Sequence, residues 1–200
     1  MKREKRTGNK MSKYISDYIR DALDYIKESK NYIYITIAIF IASILIGFFN
    51  ASYLSVIDKF LRDLIEKTAG LEGIELIAFI LVNNIGSAFL GLFFGIAFGV
   101  FSVINTLVNG IVLGYVLARA YDFSGFSDFW RILPHGIFEL PAVFISLGLG
   151  LKLGLFMFSK NIGKELKRRF FGSSKAFIFV VIPLLIIAAI IEGLLITFLG

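Results

Sequence analysis

Cysteine is absent from the 200 residues, which excludes disulfides and thiolate metal sites. Proline occurs three times, and histidine and tryptophan once each. Charge is scarce as well: Asp, Glu, Lys and Arg make up 18% of the chain, against about 25% in an ordinary soluble domain. From Leu76 to Ala118 no charged residue occurs at all. Short segments of alternating polarity, which an outer-membrane barrel requires, are missing too. So are the P-loop, the dinucleotide fingerprint, the Ser-centred elbow and the paired-His motif, so nothing marks catalysis of those kinds.

Hydrocarbon fills the chain instead: 57% of residues are hydrophobic and the mean hydropathy is +0.80. About 20 apolar residues cross a bilayer as helix, and five stretches qualify, at about 32–49, 76–99, 104–120, 134–158 and 176–199. The expected architecture is an all-α polytopic transmembrane helix bundle over 31–200, with a tight turn near Val100 to Ile104 between spans two and three. A basic N-terminal tail and amphipathic helix precede it over 1–30. The opening "MKREKRTGNK" has a basic head but no apolar core directly behind it, unlike a cleaved signal peptide.

The net charge of +6 is distributed as membrane-orienting charge rather than as a nucleic-acid surface. Nine of the 21 Lys and Arg residues precede the first span and six lie in "KNIGKELKRRFFGSSK", residues 160–175, expected as a short loop. Segments 50–75 and 119–133 carry five between them, offset by Asp58, Asp63, Glu66, Glu72, Glu75, Asp122 and Asp128. With five spans the basic regions share one side, so the positive-inside rule puts the N-terminus in the cytoplasm and the C-terminus outside a cell membrane.

Two amphipathic pieces flank the spans. One repeats apolar residues at Ile15, Ile19, Ala22 (or Leu23) and Ile26; the other, about 53–69, does so at Leu54, Ile57, Phe60 (or Leu61), Leu64 and Ile65. They read as an inner-surface helix and an outer-surface or capping helix, with docking of a partner protein as the alternative. Small residues four apart, at Gly91, Gly95 and Gly99, at Gly110 and Gly114, and at Gly150 and Gly154, let helix backbones approach closely. Packing within one bundle is the first reading and a homodimer seam the second.

Ionisable groups within spans cost about 2.5–3.5 kcal/mol and are functional candidates by default. Here they are His135, Glu139, Lys152 and Glu192. Lys152, near the inner end of span four, is expected to reach the interface with its long side chain. At about 1.5 Å per helical residue, Glu139 lies roughly 7 Å and Glu192 about 10 Å from the outer boundary. Asn83 and Asn84 come at about 12–13 Å and Asn109 near 16 Å, with Asn105 one turn deeper. His135 and Glu139 share a helix face. Pro134 suits a first helical turn, and Pro141 should kink the helix by removing a hydrogen bond to Ile137. Three roles fit such a group: a hydrogen-bonded clamp between spans, a proton or ion relay, or a divalent metal ion on His135, Glu139 and Glu192. Asn105 with Asn109 reads as interhelical hydrogen-bond glue.

"LVNNIGSAFLGLFFGIAFG", "NTLVNGIVLG", "LPHGIFELPAV" with "GLKLG" behind it, and "IEGLLITF" together resemble the stage II sporulation protein M family, over roughly residues 30 to 199. The PHG-x-x-E block, Pro134 to Glu139, is the most specific element. The resemblance implies a multi-span integral membrane protein. In spore-forming bacteria such members work with two peptidoglycan hydrolases during engulfment, as the membrane anchor that recruits them. The expectation is therefore a scaffold embedded in the lipid bilayer that engages membrane or surface proteins. The alternative is ion or proton translocation, or metal-dependent membrane chemistry, at His135, Glu139 and Glu192.

Overall fold

The computed structural model describes residues 2–125 and 129–199, with side chains over 13–123, at 125 and 136, and over 139–195. Eight α-helices follow one another: α1 (Lys2–Glu28), α2 (Lys30–Phe49), α3 (Val56–Thr68), α4 (Gly73–Phe93), α5 (Val100–Ser124), α6 (Phe129–Gly154), α7 (Ile162–Ala176) and α8 (Ile182–Leu199). No strand occurs among the described residues. Five helical stretches are long and apolar enough to cross a membrane: Lys30–Phe49, Gly73–Ile96, Val100–Phe123, Glu139–Phe158 and Ile162–Leu195. Within each helix the backbone satisfies its own hydrogen bonds, so only apolar side chains need face lipid. Ile41, Leu45, Val82, Val108, Ile187 and Leu194 are exposed on these spans, a surface that suits hydrocarbon and not water.

The core lies where α4, α6 and the α7–α8 helix meet, around Ala88, Leu92, Ala142, Leu149, Val181 and Leu185, with Ala22 and Tyr25 of α1 against it. Charged α1 and α7 mark one end of the bundle, called here the basic end. At the opposite end α3 rests on α5 through buried Ile57 and Tyr115. The Tyr115 hydroxyl donates to the Asp58 carboxylate at 2.5 Å and accepts from Arg119 Nε at 3.0 Å, tying α3 down.

Three expectations need correction. The turn after the second span lies at Ala97–Gly99, not Val100–Ile104. Phe98 and Gly99 take positive φ, 57° and 74°, and the Gly99 N–H donates to the Gly95 carbonyl at 2.7 Å. Glycine suits this left-handed position because it has no Cβ to clash. Second, α6 begins at Phe129, so Pro134 sits in its second turn rather than its first.

Third, residues 162–176 of the expected loop are helix. The Asn161 side chain accepts from the Lys164 N–H at 3.2 Å and caps α7. Glu165 then pairs with Arg168 and Arg169 at 3.0 Å, the spacing that bridges successive helical turns. Nothing ends the helix before α8: a π turn, Phe177–Val181, joins the two. Pro183 gives a cause, since it has no N–H for the Phe179 carbonyl four residues back, and a wider turn relieves that lost bond.

Candidate functional site

Glu139 lies on α6 and Glu192 on α8, both half-buried. The helices run antiparallel and pack through Ala142, Leu149, Val181 and Leu185. That brings the two carboxyl groups near enough for their charges to act on one another. The His135 backbone belongs to α6, one turn from Glu139; its side chain, like that of Pro134, lies outside the described residues. Among the described residues no group of three or more His, Asp or Glu side chains could hold a metal ion.

The asparagines pair locally. Asn83 Nδ2 donates to Asn84 Oδ1 at 3.5 Å, a long contact, with Asn83 exposed and Asn84 half-buried. Asn109 Nδ2 donates to Asn105 Oδ1 at 2.6 Å and to the Asn105 carbonyl at 2.9 Å. The Asn105 amide lies 3.6 Å from where a Cβ on Gly91 would sit, so it faces α4 at the level of Leu147. Leu147 is eight residues along α6 from Glu139, about 12 Å. Asn105 therefore lies nearer the basic end, apart from the two carboxyl groups. It stands five residues into α5, whose start lies at that end.

The glycines mark where the chain's own helices cross. A Cβ on Gly95 would stand 2.5 Å from the Gly150 carbonyl oxygen and 2.5 Å from Ser102 Oγ. Gly91 meets Leu147, Gly154 meets the backbone of Gly95 and Gly99, and Gly99 meets Leu151. Gly110 approaches Phe40 and Ser43, and Gly114 the backbone of Ile44. All seven positions from the sequence pattern thus face another helix of the same chain, which occupies the surfaces a dimer seam would need.

Lys152 is the residue that sequence reasoning passed over. It does not extend to the interface: its side chain is only 4% exposed. Nζ donates to Glu28 Oε1 at 3.1 Å and to Ser29 Oγ at 2.9 Å, and lies 4.0 Å from the centre of the Tyr25 ring. Arg168 donates to the same Glu28 oxygen at 2.7 Å. Arg169 donates to the Lys152 carbonyl at 2.5 Å and to Glu165 at 3.0 Å. One ion network thereby joins α1, α6 and α7. Burial pushes the Glu28 carboxyl up, but hydrogen bonds from Arg168 and Lys152 outweigh that and hold it below its ordinary value. The sequence held one hint: Glu28 and Ser29 stand just before the first span, at the depth where Lys152 ends the fourth.

The chain matches the family model for stage II sporulation protein M over residues 36–195. No curated protein and no solved structure matches it. Matched residues run from the first span to the last and through the PHG-x-x-E block, and α1 lies before them. This protein, with its five candidate membrane spans, belongs to the stage II sporulation protein M family.

Proposed function

We propose that this chain is a membrane scaffold, cytoplasmic at its basic end, that holds surface helices in fixed positions for partner proteins. The observation that carries the reading is the Lys152 network, which spends a buried cation and a carboxylate on fixing α1 to the bundle. Breaking it would leave an enclosed lysine without its carboxylate, so the arrangement resists movement of α1. At the opposite end α3 is tied by Asp58 to Tyr115 while Val56 and Phe60, one helical turn apart, stay exposed, an apolar face available to the bilayer interface or a partner. Asn105 with Asn109 and the glycine crossings serve the same rigidity.

A second reading, proton or cation handling, draws on Glu139 and Glu192 facing one another across α6 and α8; the imidazole of His135 would be the third member of a metal site.

Flux through sealed proteoliposomes separates the two. For the scaffold, proton and cation leak equals that of protein-free vesicles and does not change in Glu139→Gln or Glu192→Gln. Protein purified without chelator then carries no stoichiometric metal. Flux that both substitutions abolish, or a metal lost with His135→Ala, would overturn the scaffold as the primary role.

A further inference from the structure

The second half of α1 sorts its side chains into four rows. Tyr18, Ala22 and Tyr25, three or four apart, make the packed side. Tyr18 stacks on Phe179 with ring centroids 5.7 Å apart, and the Tyr25 hydroxyl donates to the Arg169 carbonyl at 3.3 Å. Ile15, Ile19 and Leu23 follow four apart on the next side and are exposed. Lys13, Arg20 and Lys27 come every seventh residue, two helical turns, along the edge beyond that apolar row, and all three are exposed. Asp17, Asp21, Asp24 and Glu28 fill the remaining side, across the helix from the isoleucines.

The acidic row belongs in water. Asp21 pairs with Lys175 at 2.6 Å and Glu28 with Arg168 at 2.7 Å. An open groove of about 580 Å³ lies there, with Asp24 on one wall and Lys164 and Lys167 on the other, and charge on both walls keeps it hydrated. The basic row is less engaged. Among the described residues Lys13 and Arg20 make no ion pair, and Lys27 meets Asp24 at 3.4 Å with both exposed, a contact that contributes little.

Two anchors set the level of α1. The first span, α2, opens at Lys30, two residues after α1 ends. Phe179, under Tyr18, lies three residues past Ala176, where the apolar run of the last span begins. The helix is therefore held along the boundary at which charged α7 gives way to the hydrocarbon-facing part of the bundle.

We propose that α1 lies in the plane of the inner leaflet and binds anionic phospholipid there, with Ile15, Ile19 and Leu23 in the acyl boundary and Lys13, Arg20 and Lys27 on headgroup phosphates. An interfacial helix of this kind sinks its apolar row by about 5–10 Å, and long basic side chains beside that row reach the phosphate level. The acidic row points the other way, and half of it is neutralised by α7, so it does not oppose the anionic surface. The inference goes beyond the scaffold reading, because it gives the free apolar side of α1 to lipid and leaves the acidic side to partner proteins. The inner leaflet is the anionic one where positive charge lies inside.

The test uses the full chain in lipid nanodiscs, whose two leaflets share one composition, so neither sidedness in the cell nor the scaffold role affects the result. The chain has no cysteine, and a fluorophore on Ile19→Cys or Asp17→Cys reports one position. In phosphatidylcholine discs the Ile19→Cys label should be quenched by lipid-borne nitroxide and not by iodide, and the Asp17→Cys label the reverse. As a minor component at equal mole fraction, nitroxide-bearing phosphatidylglycerol should quench the Ile19→Cys label more strongly than nitroxide-bearing phosphatidylcholine. Its relative affinity should be higher by on the order of fivefold for each cation. Lys13→Gln/Arg20→Gln changes two exposed side chains and should remove most of that preference while the phosphatidylcholine quenching stays. Equal quenching by the two lipids in the parent, or a preference that survives the double substitution, would overturn the assignment. An Ile19→Cys label shielded from both nitroxide and iodide would also overturn it and give the apolar row to a protein, a second copy if Ile19→Cys cross-links as a dimer.

Discussion

Lys152 and Glu28 meet at 3.1 Å although 124 residues separate them, and the contact joins the helix before the first span to the end of the fourth. Lys152 is almost fully enclosed, whereas Glu28 is 49% exposed. The pair is thus asymmetric: the lysine depends on the carboxylate, but the carboxylate keeps water and Arg168 as other partners. The Tyr25 ring supplies the third side of the lysine's enclosure, and a cation over an aromatic face gains more where water is excluded.

Substitution of Lys152 should therefore loosen α1 before it unfolds the bundle. Lys152→Ala removes the charge, the contact with Tyr25 and the packing of the stem. An expected loss of about 1–3 kcal/mol sits below that for fully buried pairs, because Glu28 can be resolvated. Lys152→Met keeps the stem and should cost less. Hydrogen exchange in detergent reads the effect: amides of 18–28 should lose protection while those of α4 and α8 keep theirs. Uniform loss across all helices would show that Lys152 supports the whole bundle rather than α1.

Acid should act on the same contact. Glu28 is held below its ordinary value, so it binds fewer protons folded than unfolded, and its contribution is present above the unfolded pKa. That contribution is lost as pH falls through the lowered folded value. Protection of 18–28 should stay level from neutral pH down to about 5 and fall below the ordinary glutamate pKa of about 4.3. Glu28→Gln should lower protection at neutral pH and remove most of this fall. A fall of equal size in the variant would assign the titration elsewhere.

The spans were legible because hydrocarbon thickness sets a length that composition can reveal, and five apolar runs met it. The turn after span two was less so: the apolar run has no polar punctuation there, and Phe98 at positive φ is not a choice its side chain announces. Residues 162–176 carry six charges and look like a loop in sequence, yet Glu165 uses Arg168 and Arg169 to build helix. Lys152 was misjudged because depth alone was considered. Whether a lysine can extend to water depends on what lies over it, and α1 does. Span lengths give the depths of Glu139 and Glu192, but not whether the two side chains meet, and Asn105 packs at the level of Leu147, about 12 Å along α6 from Glu139.

Glycine substitutions should separate contact from composition. Gly95→Ala places a Cβ 2.5 Å from the Gly150 carbonyl and from Ser102 Oγ, backbone and buried hydroxyl that cannot swing away. Overpacking of this kind costs about 1–3 kcal/mol. At Gly86 nothing stands within 4 Å of the added methyl, and alanine is the better helix former by up to about 1 kcal/mol. Thermal unfolding of the two variants should move in opposite directions. A drop of equal size in both would mean that the bundle relaxes around Gly95 and that the crossing is looser than its geometry.

Because the chain has no cysteine, each introduced thiol is a lone probe of sidedness. Gly163→Cys, at the start of α7, sits at the basic end with open space around it. Ser55→Cys precedes α3 at the opposite end and is exposed. Charge placement puts the first in the cytoplasm and the second outside. In intact cells a membrane-impermeant maleimide should label Ser55→Cys and leave Gly163→Cys unlabelled until the membrane is opened. The reversed pattern would turn the bundle over, moving the basic end to the outer leaflet. Labelling of both from outside would break the five-span path, since an odd number of crossings separates α3 from α7: α4, α5 and α6.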